Sequence, residues 1–570
     1  MQERDCDVLV LGSGAGGLSA AVTAAHLGLA VIVAEKEAVL GGTTAWSGGW
    51  MWIPRNPLAT EAGFHEDLSA PLSYLRHELG ARFDEARART FLENGPRMVS
   101  FFRAQTLLRF IDGNQIPDFH GRTPDACTGA RSVCAAPFDG RQLGRLRALL
   151  KPPLWENTLL GLGIASGAEL RHYLNALRAP SSLAYVLRRV LAYAWDWVRH
   201  GCSMRLVNGH ALAGALVASA DRLGVDFLRQ SPAVQLLRDG ERVCGAVLQT
   251  PEGPLRVQAR RGVVLACGGF PHDAERKRQM LHHAPTGHEH KSAAAWGNTG
   301  DGLRLGESVG ARVAQDLAQS AALAPVSVVM RRDGSRAHFP HLIERAKPGV
   351  IAVNPRGQRF VNEADSYHDF AQAMLRDTPT DQVAHAWLVC DHRFIRRYGL
   401  GAVKPAPFPL GPALRSGYLR RGRDWAALAR ACDLPASALQ ATVARYNAQA
   451  VVGRDDDFGK GETPYNRVQG EASHGPNPCM APLVEGPFYA VRLEQGSLGT
   501  FAGLRVNAQA QVLDAHDQPI PGLYAGGNDM SSVMAGHYPS GGITLGPAMT
   551  FGFLAAEHMA QRRTDAVPSP

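Results

Sequence analysis

Asp7-Val8-Leu9-Val10-Leu11-Gly12-Ser13-Gly14-Ala15-Gly16-Gly17 is followed by an Ala-rich run from Leu18 to Leu29 and then by Val31-Ile32-Val33-Ala34-Glu35. The two apolar runs read as buried parallel strands, and the segment between them carries apolar residues at helical spacing. Strand, glycine turn, helix, strand and terminal acid together make a dinucleotide-binding pattern. Gly12 permits the tight turn, Gly14 lets the backbone approach a pyrophosphate, and Gly17 lets the helix lie close to the strand. The helix N-terminus then offers N–H groups and a positive dipole end to phosphate. Glu35, with Lys36 behind it, falls where an acid would accept hydrogen bonds from a ribose.

This pattern does not distinguish NAD from FAD. The next motif does. In Gly41-Gly42-Thr43-Thr44-Ala45-Trp46-Ser47-Gly48-Gly49, two glycine pairs bracket hydroxyl side chains. Such a loop suits the long phosphate–ribityl stem of an extended FAD, and a NAD enzyme has no need of it here. The loop holds no His, Cys or Tyr at an attachment position, so the flavin is expected to be non-covalent.

At 570 residues the chain is too long for one core. Hydrophobic residues at 45% and charged residues at 20% describe a globular protein. The net charge of +8 is spread thinly, and no basic stripe with interleaved aromatics points to nucleic acid. The nine cysteines are scattered and form no C-x-x-C pair, which argues against a disulfide framework and against a bound metal. Reduced thiols in a cytoplasmic protein are the simplest expectation, since the first strand starts by Asp7 and leaves no room for a leader. No run is apolar enough to span a membrane. Leu183 to Val198 is amphipathic, with Trp and Arg, and is a candidate for peripheral membrane contact, although an internal packed helix is the plainer reading.

Taken in order, residues 68–110 read as helices, 116–144 as a long irregular stretch of the kind that often carries function, and 145–205 as a helical insertion. A helix is expected over 208–223. Ala233-Val234 opens a strand, and Pro251-Glu252-Gly253-Pro254 marks a hairpin. Gly262 to Phe270 is a buried strand ending in Gly268-Gly269. Asn298-Thr299-Gly300-Asp301-Gly302 starts a helix. Residues 424–451 look helical. Ile520 to Asn528 is a strand running into Gly526-Gly527. The expected fold is α/β: a discontinuous Rossmann-type FAD-binding domain (1–275 and 491–570) with an inserted α+β substrate or capping domain (276–490).

These motifs together resemble the flavoprotein family that contains fumarate reductase, succinate dehydrogenase and the 3-ketosteroid dehydrogenases. The resemblance spans nearly the whole chain. It rests on Gly12–Gly17, Gly41–Gly49, Asn298–Gly302, Arg359-Phe360-Val361-Asn362-Glu363, Tyr524–Asn528 and the C-terminal glycine run. It implies flavin contacts from Gly12, Ser13, Gly14, Ala15, Gly16, Gly17, Glu35, Lys36, Gly41, Gly42, Thr43, Thr44, Ser47, Gly48, Gly49, Val234, Gly268, Gly269, Asn298, Gly302, Gly527, Asn528, Gly542, Ile543 and Leu545. The dicarboxylate branch carries an arginine before its C-terminal glycine pair, as proton donor and carboxylate clamp. Here that run is Tyr538-Pro539-Ser540-Gly541-Gly542, without arginine, and it resembles the ketosteroid branch instead.

The resemblance implies dehydrogenation beside a ketone. Tyr538 O–H and Gly542 N–H would stabilise the enolate oxygen, and Tyr367 would remove the α proton. A tyrosine in that role needs nearby donors or positive charge to favour its phenolate. One departure stands out. The Δ1-dehydrogenases carry a further tyrosine where this chain has Phe119, which would line the pocket and cannot relay a proton. The Tyr-Pro-Ser-Gly-Gly form also resembles the Δ4(5α)-dehydrogenases, in which the serine corresponding to Ser540 is implicated in catalysis. Both desaturations therefore stay open, as do a smaller cyclic ketone, the reverse ene-reductase reaction and a flavin-binding protein without catalysis. An external acceptor such as a quinone is expected, because no second dinucleotide fingerprint appears. Arg359 and Glu363 are expected to be structural partners.

Overall fold

The computed structural model describes residues 2–561. Its main sheet runs Gln511–Leu513, Pro519–Ala525, Gly253–Leu265, Gln2–Leu11, Val31–Glu35 and Asp226–Arg229, with Arg242–Thr250 antiparallel to Gly253–Leu265 and Ala233–Asp239 antiparallel to Arg242–Thr250. Thr250 pairs with Gly253 across the hairpin. The inner strands are parallel and buried on both faces, which explains their unbroken apolar runs. Leu11 pairs with Leu265, and Leu265 with Ala525, so three strands from distant parts of the chain end side by side. Each then runs into a glycine turn. Ligands bind beyond the carboxyl ends of such strands.

The helices Ala15–His26 and Leu545–Gln561 pack on each other over this sheet. The last helix begins at Leu545, directly after the glycine run. Between residues 140 and 205 the insertion contains 3-10 turns and the helices Ala168–Leu174 and Pro180–His200.

A second, antiparallel sheet contains Val326–Met330, Arg336–Pro340, Val350–Val353, His385–Cys390, Leu419–Gly422 and Phe488–Glu494. Strand alternation splits its side chains between two layers. Val350 and Ala352 join Phe370 and Met374 of the helix Tyr367–Asp377. Ile351 and Val353 face Leu428, Leu439 and Val443 on the other side. The helix expected over 424–451 is two helices, Trp425–Ala431 and Ala436–Val452. Pro435 caps the second, and Asp433 turns through a left-handed conformation before it.

Candidate active site

The carboxyl ends of the main sheet open into a cleft of about 2190 Å³ that continues to the helix Tyr367–Asp377. Ordinary small-molecule sites reach roughly 1,000 Å³, so the cleft has room for a dinucleotide and a second ligand. Gly12, Ser13, Gly14, Ala15 and Gly16 line one end. Gly14 caps the helix with no side-chain partner, which leaves the helix N-terminus available to phosphate.

Side chains stitch the glycine turns together. Ser13 N–H and O–H both donate to Glu35, at 3.0 and 2.6 Å, and Gly41 N–H donates to the Ser13 hydroxyl at 2.9 Å. Ala15 N–H donates to Thr44 Oγ1 at 2.9 Å. Thr43 Oγ1 accepts from Ala295 N–H and from Asn298 Nδ2, at 2.9 and 3.0 Å. Lys36 Nζ donates to Thr299 Oγ1 and pairs with Asp301. Glu35, Lys36, Gly42, Thr43, Thr44, Ser47, Gly48, Gly49, Gly268, Asn298, Gly527, Asn528, Gly542 and Leu545 also line the cleft. A side chain built on Gly527 would meet nothing within 4 Å, so this turn faces open space. These donors and turns fit an FAD.

Not every expected contact residue reaches the cleft. Val234 lies on a strand whose alternation turns it outward, 59% exposed, while Ser231, Pro232 and Ala233 line the cleft instead. Gly17, Gly41, Gly269, Gly302 and Ile543 stand behind the lining. Gly17 packs under the helix against Gly12 and Val10. A Cβ on Gly302 would sit 2.0 Å from Asp529 Oδ2. Asp529, which sequence reasoning missed, is fully buried, and its carboxylate accepts the N–H groups of Cys267 and Gly269 at 2.5 and 2.9 Å. It thereby fixes the turn after Leu265. Burial raises its pKa to about 6, against the pull of those N–H donors.

At the far end four aromatic rings converge. Tyr367 and Tyr538 meet edge to face with centroids 5.0 Å apart. Phe119 stacks on Tyr538 at 5.7 Å and 15°, meets Tyr367 at 5.5 Å, and packs on Tyr465 at 4.5 Å. All four line the cleft beside Gly542. Tyr367 is the first residue of its helix, which Ser366 caps by accepting the Asp369 N–H. Gly542 has φ +98°, and a Cβ there would lie 2.7 Å from Met51 N, so only glycine holds this turn. Its carbonyl accepts N–H from Trp52 and Gly546. Burial pushes Tyr538 up to about 12, while the Tyr367 and Thr544 hydroxyls favour its phenolate. Burial pushes Tyr367 well above its ordinary value.

The irregular stretch after residue 116 delivers Phe119. Phe119 N–H and the Tyr74 hydroxyl both donate to Pro539 O, at 2.9 and 2.7 Å, tying this stretch to the C-terminal run. Asp118 is buried and accepts from Trp52 Nε1, Cys127 N–H and Arg131. Ser540 faces this carboxyl, close enough to favour its charged form, and is not part of the cleft lining. Ser540 is buried at a bend, behind the cleft that Tyr538 lines. The serine expected in catalysis thus stands behind the cleft lining, against Asp118. His120 bridges Glu78 and Asp369, and His368 Nδ1 accepts from Leu323 N–H. Arg359 pairs with Glu363 and Asp455 in a buried cluster with Lys460, away from the cleft.

No helix among the described residues is long and apolar enough to cross a membrane. The helix Pro180–His200 turns Leu183, Val186, Val190, Tyr193 and Trp197 toward the cleft. It leaves Leu191, Trp195 and Val198 exposed at 70%, 61% and 78%.

The FAD binding domain family matches residues 7–545. A 4-oxocyclohex-2-ene-1-carboxylate 5-dehydrogenase of Sinomonas cyclohexanicum is 36% identical over 98% of this chain and 94% of its own length. A 3-oxosteroid 1-dehydrogenase of Mycobacterium tuberculosis is 35% identical over 99% of each chain. The crystal structure of 3-ketosteroid delta1-dehydrogenase from Sterolibacterium denitrificans, in complex with 1,4-androstadiene-3,17-dione, superposes with a TM-score of 0.90. It is 34% identical and covers 98% of this chain and 99% of that one.

Proposed function

The chain belongs to the FAD-binding domain flavoproteins, and from that premise we propose that it dehydrogenates a 3-ketosteroid at adjacent carbons beside the ketone. The observation that carries this reading is the Tyr367–Tyr538 ring pair beside Gly542, in a run with no carboxylate-clamping arginine. Tyr538 O–H and Gly542 N–H receive the ketone oxygen and stabilise the negative charge that grows on it. Tyr367 takes the α proton. Phe119 and Tyr465 wall the site and keep water from the reacting carbons. Bound FAD supplies the acceptor for the β hydrogen, which leaves as hydride. The apolar approach through Leu159, Leu160, Leu174, Leu177, Leu183 and Val186 suits a large lipophilic ring system.

A smaller cyclohexanone bearing a carboxylate is the second reading, favoured by the Sinomonas relative. The exposed Leu191, Trp195 and Val198, next to Arg188 and Arg199 on the same helix, support peripheral contact with a lipid surface from the cytoplasmic side. A membrane quinone would then be the electron acceptor. The test is anaerobic mixing of the purified yellow protein with saturated 3-ketosteroids, 4-ene-3-ketosteroids and 4-oxocyclohexane carboxylates. Bleaching by a steroid, with the product's new double bond located by NMR, supports the proposal. Bleaching by the carboxylates alone moves the assignment to the second reading.

A further inference from the structure

The short helix Pro464–Gln469 runs along the cleft. Tyr465, Val468 and Gln469 line it, at the i, i+3 and i+4 positions that share one helical face. One end of this face is Tyr465, packed on Phe119 at 4.5 Å. The other end is Gly470, which closes the helix and whose carbonyl accepts from Lys347 Nζ at 2.6 Å. Five positions along a helix rise about 7.5 Å, so Lys347 is held well beyond the aromatic wall.

Cations gather there. Lys347, Arg171, Arg178 and Arg397 all line the cleft. Glu471 is the carboxylate among them, paired with Arg397 at 3.1 Å and facing Lys347, but it stands behind the lining. The charges of Arg171 and Arg397 act on Lys347, and that of Arg178 acts on Tyr398, next to Arg397. Burial holds the Lys347 ammonium below its ordinary value; Glu471 favours its charge, and the two arginines oppose it. Glu169, the acid of the helix Ala168–Leu174 that carries Arg171, is taken by Arg189 and Arg205. Arg171 and Arg178 are exposed and form no ion pair among the described residues. Arg397 Nε is buried with no hydrogen-bond partner among the described residues. Four cations around one carboxylate leave an excess of positive charge, which favours an anion in the space they face. The FAD phosphates do not explain it, since the free helix N-terminus at Ala15 lies with the glycine turns at the opposite end. Leu170, Leu174 and Leu177 line the cleft between these charges. Apolar and cationic side chains side by side complement a lipophilic body with an anionic end.

Resting on the dehydrogenase reading above, we propose that Arg171, Arg178, Lys347 and Arg397 form a subsite for an anionic end of the substrate, and that the 3-ketosteroid this chain takes carries a carboxylate on the side chain remote from its ketone. With the ketone at Tyr538 and Gly542, a fused ring nucleus lies along the face of Tyr465 and Val468 and delivers its side chain to Lys347. A single cyclohexanone ring is shorter than that face. Gly470 and Glu471 hold Lys347 and Arg397 in place before the substrate arrives. Arg171 and Arg178 meet the carboxylate from the exposed side. The subsite binds and orients, and it takes no part in proton or hydride transfer.

The test compares kcat/KM for 3-oxocholanic acid and for its methyl ester on the flavin-loaded protein, with a dye as electron acceptor. The two compounds share ring system and ketone and differ in the charge of the side chain. The acid should be favoured about 10-fold or more, the value of one hydrogen bond to a charged group, and mostly through KM. Added salt should shrink the preference, because Arg171 and Arg178 are exposed. Arg171→Gln with Arg178→Gln should bring the acid-to-ester ratio close to one. Equal kcat/KM for acid and ester in the wild type, a preference for the ester, or a preference for the acid that neither salt nor the double variant reduces overturns the anionic subsite. Turnover of the ester then keeps the dehydrogenase reading standing. A flavin-loaded wild-type protein that oxidises neither steroid overturns both readings.

Discussion

The Tyr367 and Tyr538 rings stand at 80° to one another with centroids 5.0 Å apart, although 171 positions separate them in the chain. One comes from the first turn of a helix packed on the second sheet, the other from the glycine run that leads into the helix Leu545–Gln561. Their hydroxyls perturb each other, and Tyr538 keeps the lower value of the pair, about 12. A division of labour follows. Tyr367→Phe should abolish α-proton exchange, and Tyr538→Phe should weaken both ketone binding and exchange. Each should cost about 10²–10⁴-fold in turnover with flavin retained. Near wild-type flavin reduction in either variant would remove that tyrosine from the mechanism.

Ser540 faces Asp118 and not the cleft. Ser540→Ala should therefore leave kcat and KM close to wild type and cost little stability, because the buried Ser540 hydroxyl makes no hydrogen bond among the described residues. A large fall in kcat at unchanged stability would return the serine to catalysis and favour a Δ4(5α) reaction.

Gly302 stands against the buried carboxylate of Asp529. Gly302→Ala drives a methyl group into that carboxylate, releases the turn that Cys267 and Gly269 make on it, and should lower FAD occupancy. The ratio of flavin to protein absorbance measures it. Full occupancy would show that Asp529 does not hold the turn.

His120 ties the Phe119 segment to the Tyr367 helix through Glu78 and Asp369. Burial opposes its charge, but the two carboxylates outweigh burial and raise its pKa from 6.5 to about 10. A group raised on folding contributes stability that is fully present below its unfolded value and is lost as pH climbs through the folded one. The tie should hold at neutral pH and fade toward pH 10. Urea midpoints of wild type and His120→Gln, taken across that range, should converge at the alkaline end. Parallel curves would mean the tie carries no charge.

The exposed apolar face of Pro180–His200 predicts that Leu191→Glu with Val198→Glu reduces co-sedimentation with anionic vesicles. Turnover of a soluble cyclic ketone should stay unchanged, because neither residue lines the cleft. Equal vesicle binding by the variant would rule out this face as the contact.

Much of the fold was legible because the signals are local. Strand, glycine turn and helix at 7–29 occupy neighbouring positions, and the backbone freedom of glycine has the same meaning wherever the chain later goes. The outward turn of the Val234 side chain was not legible, because alternation within a strand depends on where the strand is seated, which Ala233 and its neighbours decided. The direction of the Ser540 side chain was not legible either, because a motif position does not tell which way a side chain points. Asp529 and Tyr465 drew no functional reading from their positions in the sequence.

Sequence alone determined the α/β class, the glycine turns of Gly12–Gly17 and Gly41–Gly49, and the absence of an arginine in Tyr538–Gly542. Each is a property of adjacent residues. Only the tertiary structure decided that Phe119, Tyr367, Tyr465 and Tyr538 share one wall, and that Ser540 and Asp529 are buried behind the cleft. Burial and electrostatic pairing are set by which distant segments are packed together, and no spacing along the chain encodes that.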